Sequence, residues 1–258
     1  MRIIPVLKTV LSPLLLQVLL FVAAPLASAE DQGDTAEIAA IRALLATTQP
    51  GMVVGDIVLS PVGLYEVGIQ NGQSIYVSRD AKFLIPGDLY QSSDDGLVNL
   101  GEARRNTIRR ERIAALSEDD MIVFAPKGER KATITVFTDV DCPYCRKLHA
   151  EIEALNSYGI AVRYLAFPRT GLNTEIHHKM VSTWCAEDRK AMLTSAKRGG
   201  DVPEADCDSP VEEQYQLGRE VGVTGTPALV FDDGTIMPGY VEAPTLAKYL
   251  LGDDAVPE

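Results

Sequence analysis

The feature that most constrains this chain is a run rich in β-branched residues, Ala132–Thr138, followed at once by Cys142-Pro143-Tyr144-Cys145. The run alternates as a strand does. Pro143 suits the first turn of a helix because it has no N–H to lose. A helix is therefore predicted from Pro143 to about Ser157. This setting places Cys142 at the positive end of a helix, where unpaired N–H groups lower a thiol below its free pKa of about 8.5. Cys145 lies one turn further in and is expected to be more buried. Such a pair exchanges electrons: one thiolate attacks a disulfide, and the second thiol resolves the mixed disulfide. Two other readings stay open, half of a zinc site and an inert disulfide. Zinc needs further ligands at short spacing, and Cys185 and Cys207 stand in no Cys-x-x-Cys pair, although His177 and His178 are adjacent. The strand before the motif and the helix after it favour redox chemistry, with no metal and no cofactor.

The surrounding pattern extends this. Ile160–Phe167 reads as a second strand, and residues 173–198 and 210–222 read as helical. Thr226–Phe231 and Thr235–Met237 suggest a hairpin turning at Asp232-Asp233-Gly234, and Pro244–Leu251 suggests a last helix. The order β-α-β…β-β-α is that of an α/β, thioredoxin-like domain with a helical insertion after its second strand. In that arrangement Gly225-Thr226-Pro227 faces the sulfurs. A cis Thr226–Pro227 bond would expose the Thr226 backbone for strand-like pairing with a substrate peptide; a trans proline opening a strand is the plain alternative. Cys185 and Cys207, 22 residues apart, read as a structural disulfide tying the insertion, worth about 3 kcal/mol in the chain-entropy model. A second redox pair is the sharper option. His149 could share a helix face with the site, but reads first as a surface or partly packed residue.

Upstream, Arg2 and Lys8 precede an apolar run from Val10 to Leu26 and then Ala27-Ser28-Ala29. This is the layout of a secretory signal peptide, residues 1–29, cut after Ala29. Pro13, Pro25 and the small-residue site argue against an uncleaved anchor. Export puts all four cysteines where disulfides persist. Losing Arg2 and Lys8 takes the formal charge from −12 to −14, which repels phosphate backbones and makes nucleic acid an improbable partner. Residues 30–100 suggest one helix, capped at Asp34 or Thr35 and carrying Ile38, Ile41, Leu44 and Leu45, on a small antiparallel sheet. Its strand-like pieces are Met52–Leu59, Leu64–Ile69, Ser74–Val77 and Phe83–Ile85, with a hairpin signal at Asn71-Gly72. Residues 101–118 are helix-prone and charged, with sparse apolar positions, and read as a linker helix; a solvated helix of one continuous domain is the alternative. The Arg104–Arg112 cluster reads as a solvated face. Residues 119–258 would form the catalytic domain.

Taken together, several segments resemble the DsbC/DsbG family of periplasmic disulfide isomerases: Thr135-Val136-Phe137-Thr138-Asp139, Cys142-Pro143-Tyr144-Cys145-Arg146-Lys147-Leu148-His149, Tyr164-Leu165-Ala166-Phe167-Pro168-Arg169, Trp184-Cys185-Ala186, Gly222-Val223-Thr224-Gly225-Thr226-Pro227-Ala228 and Pro238-Gly239-Tyr240. Gly63-Leu64-Tyr65-Glu66-Val67 and Leu89-Tyr90 are similar to the family's dimerisation domain. The resemblance implies a V-shaped homodimer. Each chain would give a small α+β, cystatin-like N-terminal dimerisation domain, a linker helix and a thioredoxin-like catalytic domain. It implies a periplasmic thiol:disulfide interchange protein acting on misfolded, disulfide-containing exported proteins, with a membrane thiol reductant, DsbD-like, keeping the pair reduced.

The chain departs from the family pattern at the dipeptide. Pro143-Tyr144 is DsbG-like, whereas Cys185, Cys207 and Thr226 before Pro227 resemble DsbC. Thioredoxins carry an acid six residues before the first cysteine; here, as in the family, that position is not acidic but Val136. Three further functions stay open beside isomerisation or reduction: a DsbG-like reductase of sulfenylated single cysteines, a redox-independent chaperone for unfolded exported proteins, and an oxidase.

Overall fold

A computed structural model describes residues 29–94 and 96–255. The predicted signal peptide lies outside the described residues apart from Ala29, the first residue of helix α1 (Ala29–Thr48). That helix starts earlier than the cap predicted at Asp34 or Thr35. Ile41 and Leu45, one helical turn apart, are fully buried. They pack on Tyr65, Val67, Ile75 and Val77 of an antiparallel sheet. Its strands are β1 (Val54–Leu59), β2 (Tyr65–Ile69), β3 (Gln73–Val77) and β4 (Leu84–Pro86), in that order across the sheet. The Asn71-Gly72 signal falls in a single 3₁₀ turn, Gln70–Gly72, joining β2 to β3. A separate hairpin, β5 (Tyr90–Ser93) with β6 (Gly96–Asn99), was not predicted. Its apolar pair, Leu97 and Val98, is adjacent and gives no alternation to read.

Helix α2 (Leu100–Ala114) begins where the Asn99 side chain accepts from Glu102 N. It is less solvated than its charged sequence suggests. Arg105 pairs with Asp88 at 2.9 Å and with Glu102 at 2.7 Å. Arg109 is 3% exposed. Its guanidinium donates to Val221 O at 2.9 Å and to Gly234 O at 2.6 Å, both far along the chain. The prediction of a solvated arginine face therefore needs correction: a buried guanidinium must be hydrogen-bonded, and these two carbonyls supply acceptors. Two glycines allow the close approach. A Cβ on Gly234 would collide with the Asn106 carbonyl, and one on Gly72 would lie 2.8 Å from Gly222 Cα.

The second sheet runs β11-β10-β8-β9-β7. Its strands are β7 (Ile122–Phe124), β8 (Ala132–Thr138), β9 (Ile160–Ala166), β10 (Ala228–Val230) and β11 (Ile236–Pro238). Only β8 and β9 pair in parallel; the other neighbours are antiparallel. The period of two divides the sheet between two cores. Ile134, Val136, Val162 and Tyr164 face one, with Leu148, Trp184 and Leu246. Phe137, Leu165 and Val230 face the other, with Ile113 of α2. Burying a side chain the size of Leu148 or Ile134 contributes about 1.5–3 kcal/mol.

The helix predicted to run to Ser157 is two helices, α3 (Pro143–Ala150) and α4 (Ile152–Ser157). They break at Glu151, whose carboxylate accepts from the Tyr240 hydroxyl and from Ala243 N. The helical insertion likewise divides into α5 (Glu175–Trp184) and α6 (Arg189–Lys197), with Asp188 capping Ala191 N. Helices α7 (Val211–Glu220) and α8 (Ala243–Leu251) follow. Among the described residues no helix is long and apolar enough to cross a membrane.

Arg109→Ala should lower stability by about 2–3 kcal/mol, because it strands two buried carbonyls and removes charged hydrogen bonds. Urea unfolding followed by the fluorescence of Trp184, the chain's single tryptophan, measures this. Arg110→Ala, at an exposed neighbour, should stay within about 0.5 kcal/mol of the parent.

Candidate active site

Strand β8 delivers the chain to Thr138 and Asp139, both fully buried. One Asp139 carboxylate oxygen accepts from Asp141 N at 2.8 Å. The other accepts from Arg169 N at 3.0 Å and Arg169 Nε at 3.1 Å. The turn before the cysteines is thus fixed to the loop after β9. Cys142 is the N-cap of α3 and Pro143 opens the helix. Arg146 N closes the first turn onto Cys142 O at 3.0 Å.

Cys142 and Cys145 are both 1% exposed and unbonded to each other. Tyr144 between them is 57% exposed, with the Lys147 ammonium 5.6 Å from its ring centre. Cys142 Sγ lies 3.2 Å from Thr226 O and donates to it as a thiol. The Thr226–Pro227 bond is cis, and Pro227 O accepts from Gly239 N at 2.8 Å.

The two thiols are driven apart in acidity. A hydrogen bond from Cys145 lowers Cys142 most; the Thr226 side chain, the Cys145 backbone N–H and the Arg169 charge add to it. Burial opposes them, yet the Cys142 thiol falls to about 5. Cys145 moves the other way, pushed up by burial and then by its hydrogen bond to Cys142. A low-acidity, buried thiol beside a stabilised thiolate can attack only after losing its proton, which separates the two roles chemically.

Cys185 and Cys207 are bonded, with Cα atoms 5.7 Å apart. The bridge joins the end of α5 to the loop between α6 and α7. His149 is 9% exposed, more buried than predicted. Its ring nitrogens lie 3.2 Å from the Tyr164 hydroxyl and 3.1 Å from Thr194 Oγ1. Burial holds its pKa down at about 4, so the ring is neutral at pH 7. Among the described residues no three His, Cys, Asp or Glu side chains converge as a metal site would require.

Three neighbours were not singled out from sequence: Asp139, Arg169 and Lys197. Lys197, the last residue of α6, is 3% exposed. Its Nζ donates to Thr138 Oγ1 and to Asp139 O, each at 2.7 Å. The available signal was spacing: Lys197 follows buried Leu193 by one helical turn and so shares its inward face. A lysine there reads as a solvated helix end until its neighbours are known.

Comparison with known proteins bears on both halves of the chain. Residues 117–251 match the thioredoxin-like domain model, and residues 29–102 match the disulfide bond isomerase protein N-terminal domain. The chain is 42% identical to the thiol:disulfide interchange protein DsbC of Dickeya dadantii, over 80% of this chain and 83% of that one. It is 36% identical to the protein of that name from Escherichia coli, over 83% of this chain and 88% of the relative. The same name is carried by a Salmonella typhimurium protein that is 40% identical, over 80% of this chain and 83% of that one. With both domain models matched in series and the relatives aligned along most of its length, the chain belongs to the DsbC family of thiol:disulfide interchange proteins.

Proposed function

We propose that this protein is an exported, periplasmic enzyme that isomerises or reduces wrong disulfides in other exported proteins, with Cys142 attacking and Cys145 resolving. The observation that carries this reading is the split between the two thiols. Cys142 caps α3 and is held low, while Cys145 is one turn further in and is held high. The Cys142 thiolate attacks one sulfur of a substrate disulfide, that S–S bond breaks, and the other sulfur leaves as a thiolate. The resulting mixed disulfide has two exits. A substrate thiol can attack the substrate's own sulfur, which rearranges the disulfides and frees Cys142. Cys145 can instead attack Cys142 Sγ, which releases a reduced substrate and leaves a Cys142–Cys145 disulfide. A DsbD-like membrane thiol reductant would restore the pair.

Cys142 is almost covered while Tyr144 is exposed, so substrate would enter between Tyr144 and the Thr226-Pro227 loop. There Thr226 would offer its backbone to an extended peptide. The Cys185–Cys207 bridge is read as structural. Ser182 Oγ supports this by bonding both Ala205 N at 3.1 Å and Ala205 O at 3.2 Å, so the loop is tied to α5 twice.

The same proposal includes a homodimer through the β4 edge of the N-terminal sheet and the β5–β6 hairpin. Strand β4 is a sheet edge, and Phe83, Leu84 and Ile85 on and beside it are 68%, 41% and 51% exposed. Leu97 and Val98 of β6 are 73% and 43% exposed. An apolar sheet edge left in water is a pairing surface.

Three outcomes test these statements. In refolding of scrambled ribonuclease, Cys142→Ala should abolish recovery of activity, whereas Cys145→Ala should keep isomerisation and accumulate covalent enzyme–substrate adducts on non-reducing gels. Equal recovery by Cys142→Ala would sink the reading. Alkylation of reduced Cys145→Ala by iodoacetamide depends on the thiolate. Removing Cys145 deletes the largest cause of the shift, so its midpoint should lie above that of the parent, which should remain reactive down to about pH 5. Leu97→Asp should halve the mass measured by sedimentation equilibrium, from two chains to one.

A further inference from the structure

A lysine buried at the back of a redox site is costly unless it has work or partners there. Lys197 has two acceptors, Thr138 Oγ1 and Asp139 O. Thr138 is itself fully buried, and its hydroxyl acts on Cys145 in the sense that favours the thiolate. One hydroxyl thus bonds the Lys197 nitrogen and bears on the acidity of the resolving sulfur. A cavity of about 350 Å³ behind α3 reaches the same lysine, with Arg146, His149, Thr194 and Lys197 in its wall. Two more of its lining residues, Glu153 and Arg198, are exposed, so it communicates with solvent. It is large enough for several waters.

We propose that Lys197 is the proton acceptor for the resolving thiol, taking the Cys145 proton through the Thr138 hydroxyl and passing it to water in the cavity behind α3. This rests on Cys145 being the resolving residue. In the thiol–amine state, Cys145 Sγ donates to Thr138 Oγ1 and Thr138 donates to the neutral Lys197 nitrogen. Moving each proton one step gives a Cys145 thiolate and a Lys197 ammonium. The thiolate attacks Cys142 Sγ, the bond from Cys142 to the substrate sulfur breaks, and that sulfur leaves with the electron pair. The ammonium then gives its proton to cavity water, which can protonate the departing thiolate. No outside oxidant or reductant takes part.

The electrostatic setting suits the task. Burial lowers Lys197 to about 8, while Cys145, then Asp139 and Cys142, favour its charged form and Arg146 disfavours it. His149 of α3 also faces it and is kept neutral in part by the Lys197 charge. Arg198, beside it on the chain, acts on His149 in the same sense. Tyr164 of β9 stays protonated, held up by burial and by the Cys145 charge. Lys197 can thus gain and lose a proton near neutral pH. It does so where no carboxylate stands at position 136.

The test is single-turnover reaction of the reduced full-length protein with a disulfide-linked model peptide from pH 6 to 10. Attack is read as mixed-disulfide formation and resolution as its decay to the Cys142–Cys145 disulfide. In the parent, resolution should rise through a limb near pH 8. Lys197→Met, which keeps the length of the side chain and removes the base, should slow resolution at pH 7 at least tenfold and lose that limb. Its attack rate, measured on a Cys145→Ala background, should change less than twofold. Thr138→Val should reproduce the loss with the lysine in place. Lys197→Arg keeps the charge but cannot release a proton and should be as slow as Lys197→Met. Parent-like resolution and limb in Lys197→Met, rescue by Lys197→Arg, or an equal fall in attack and resolution would each overturn the proposal. Failure of the parent itself to form a mixed disulfide would instead overturn the assignment of Cys142, and this inference with it.

Discussion

The ion pair of Asp139 with Arg169 is the interaction on which the site depends. Asp139 is fully buried, and a buried carboxylate is stable only when its oxygens are engaged. Here one oxygen holds Asp141 N and the other holds Arg169 twice. Three consequences come from this one residue. The turn before Cys142 is rigid, so the sulfur sits at the start of α3. Arg169 is kept close enough for its charge to lower the Cys142 thiol. The Asp139 carbonyl is presented to Lys197. Removing the carboxylate would release two loops and a cation together, and the acidity of both cysteines would change through geometry rather than through direct contact.

Much of this was readable in the sequence because it is local. The strand Ala132–Thr138, the proline at the helix start and the hairpin at Asp232-Asp233-Gly234 each depend on residues a few positions apart. The division of the second sheet between two cores was not read from the sequence, because it depends on which helices cover each face. What was not readable depends on partners distant in the chain. The break at Glu151 is set by Tyr240 and Ala243. The burial of Arg109 is set by carbonyls more than 100 residues away. Lys197 looks like an ordinary basic residue at a helix end until α6 is folded against β8. Strand β7 has three residues, too few for a period of two to register.

The acidity of the pair has two faces. Cys142 is stabilised as a thiolate by groups that come mostly from the motif itself and from the loop at Thr226. Cys145 is governed by what lies behind the helix, where burial dominates and Lys197 and Thr138 act against it. A single four-residue motif is thus read by two different environments. Changes at Pro143 or Tyr144 touch the front, and changes in the helical insertion touch the back. The insertion is therefore more than an appendage on a thioredoxin-like sheet, since its last residue reaches the active-site strand.

Arg109 has a meaning beyond the stability it confers. It grips Val221 O and Gly234 O from α2, with Gly72 against Gly222 close by, and so ties α2 to the active-site domain at two points. In a dimer joined through the N-terminal sheets, the span between the two reactive sulfurs would then be set by this grip, as jaw width is set in a rigid caliper. The size of client admitted would be encoded at a guanidinium well away from either sulfur.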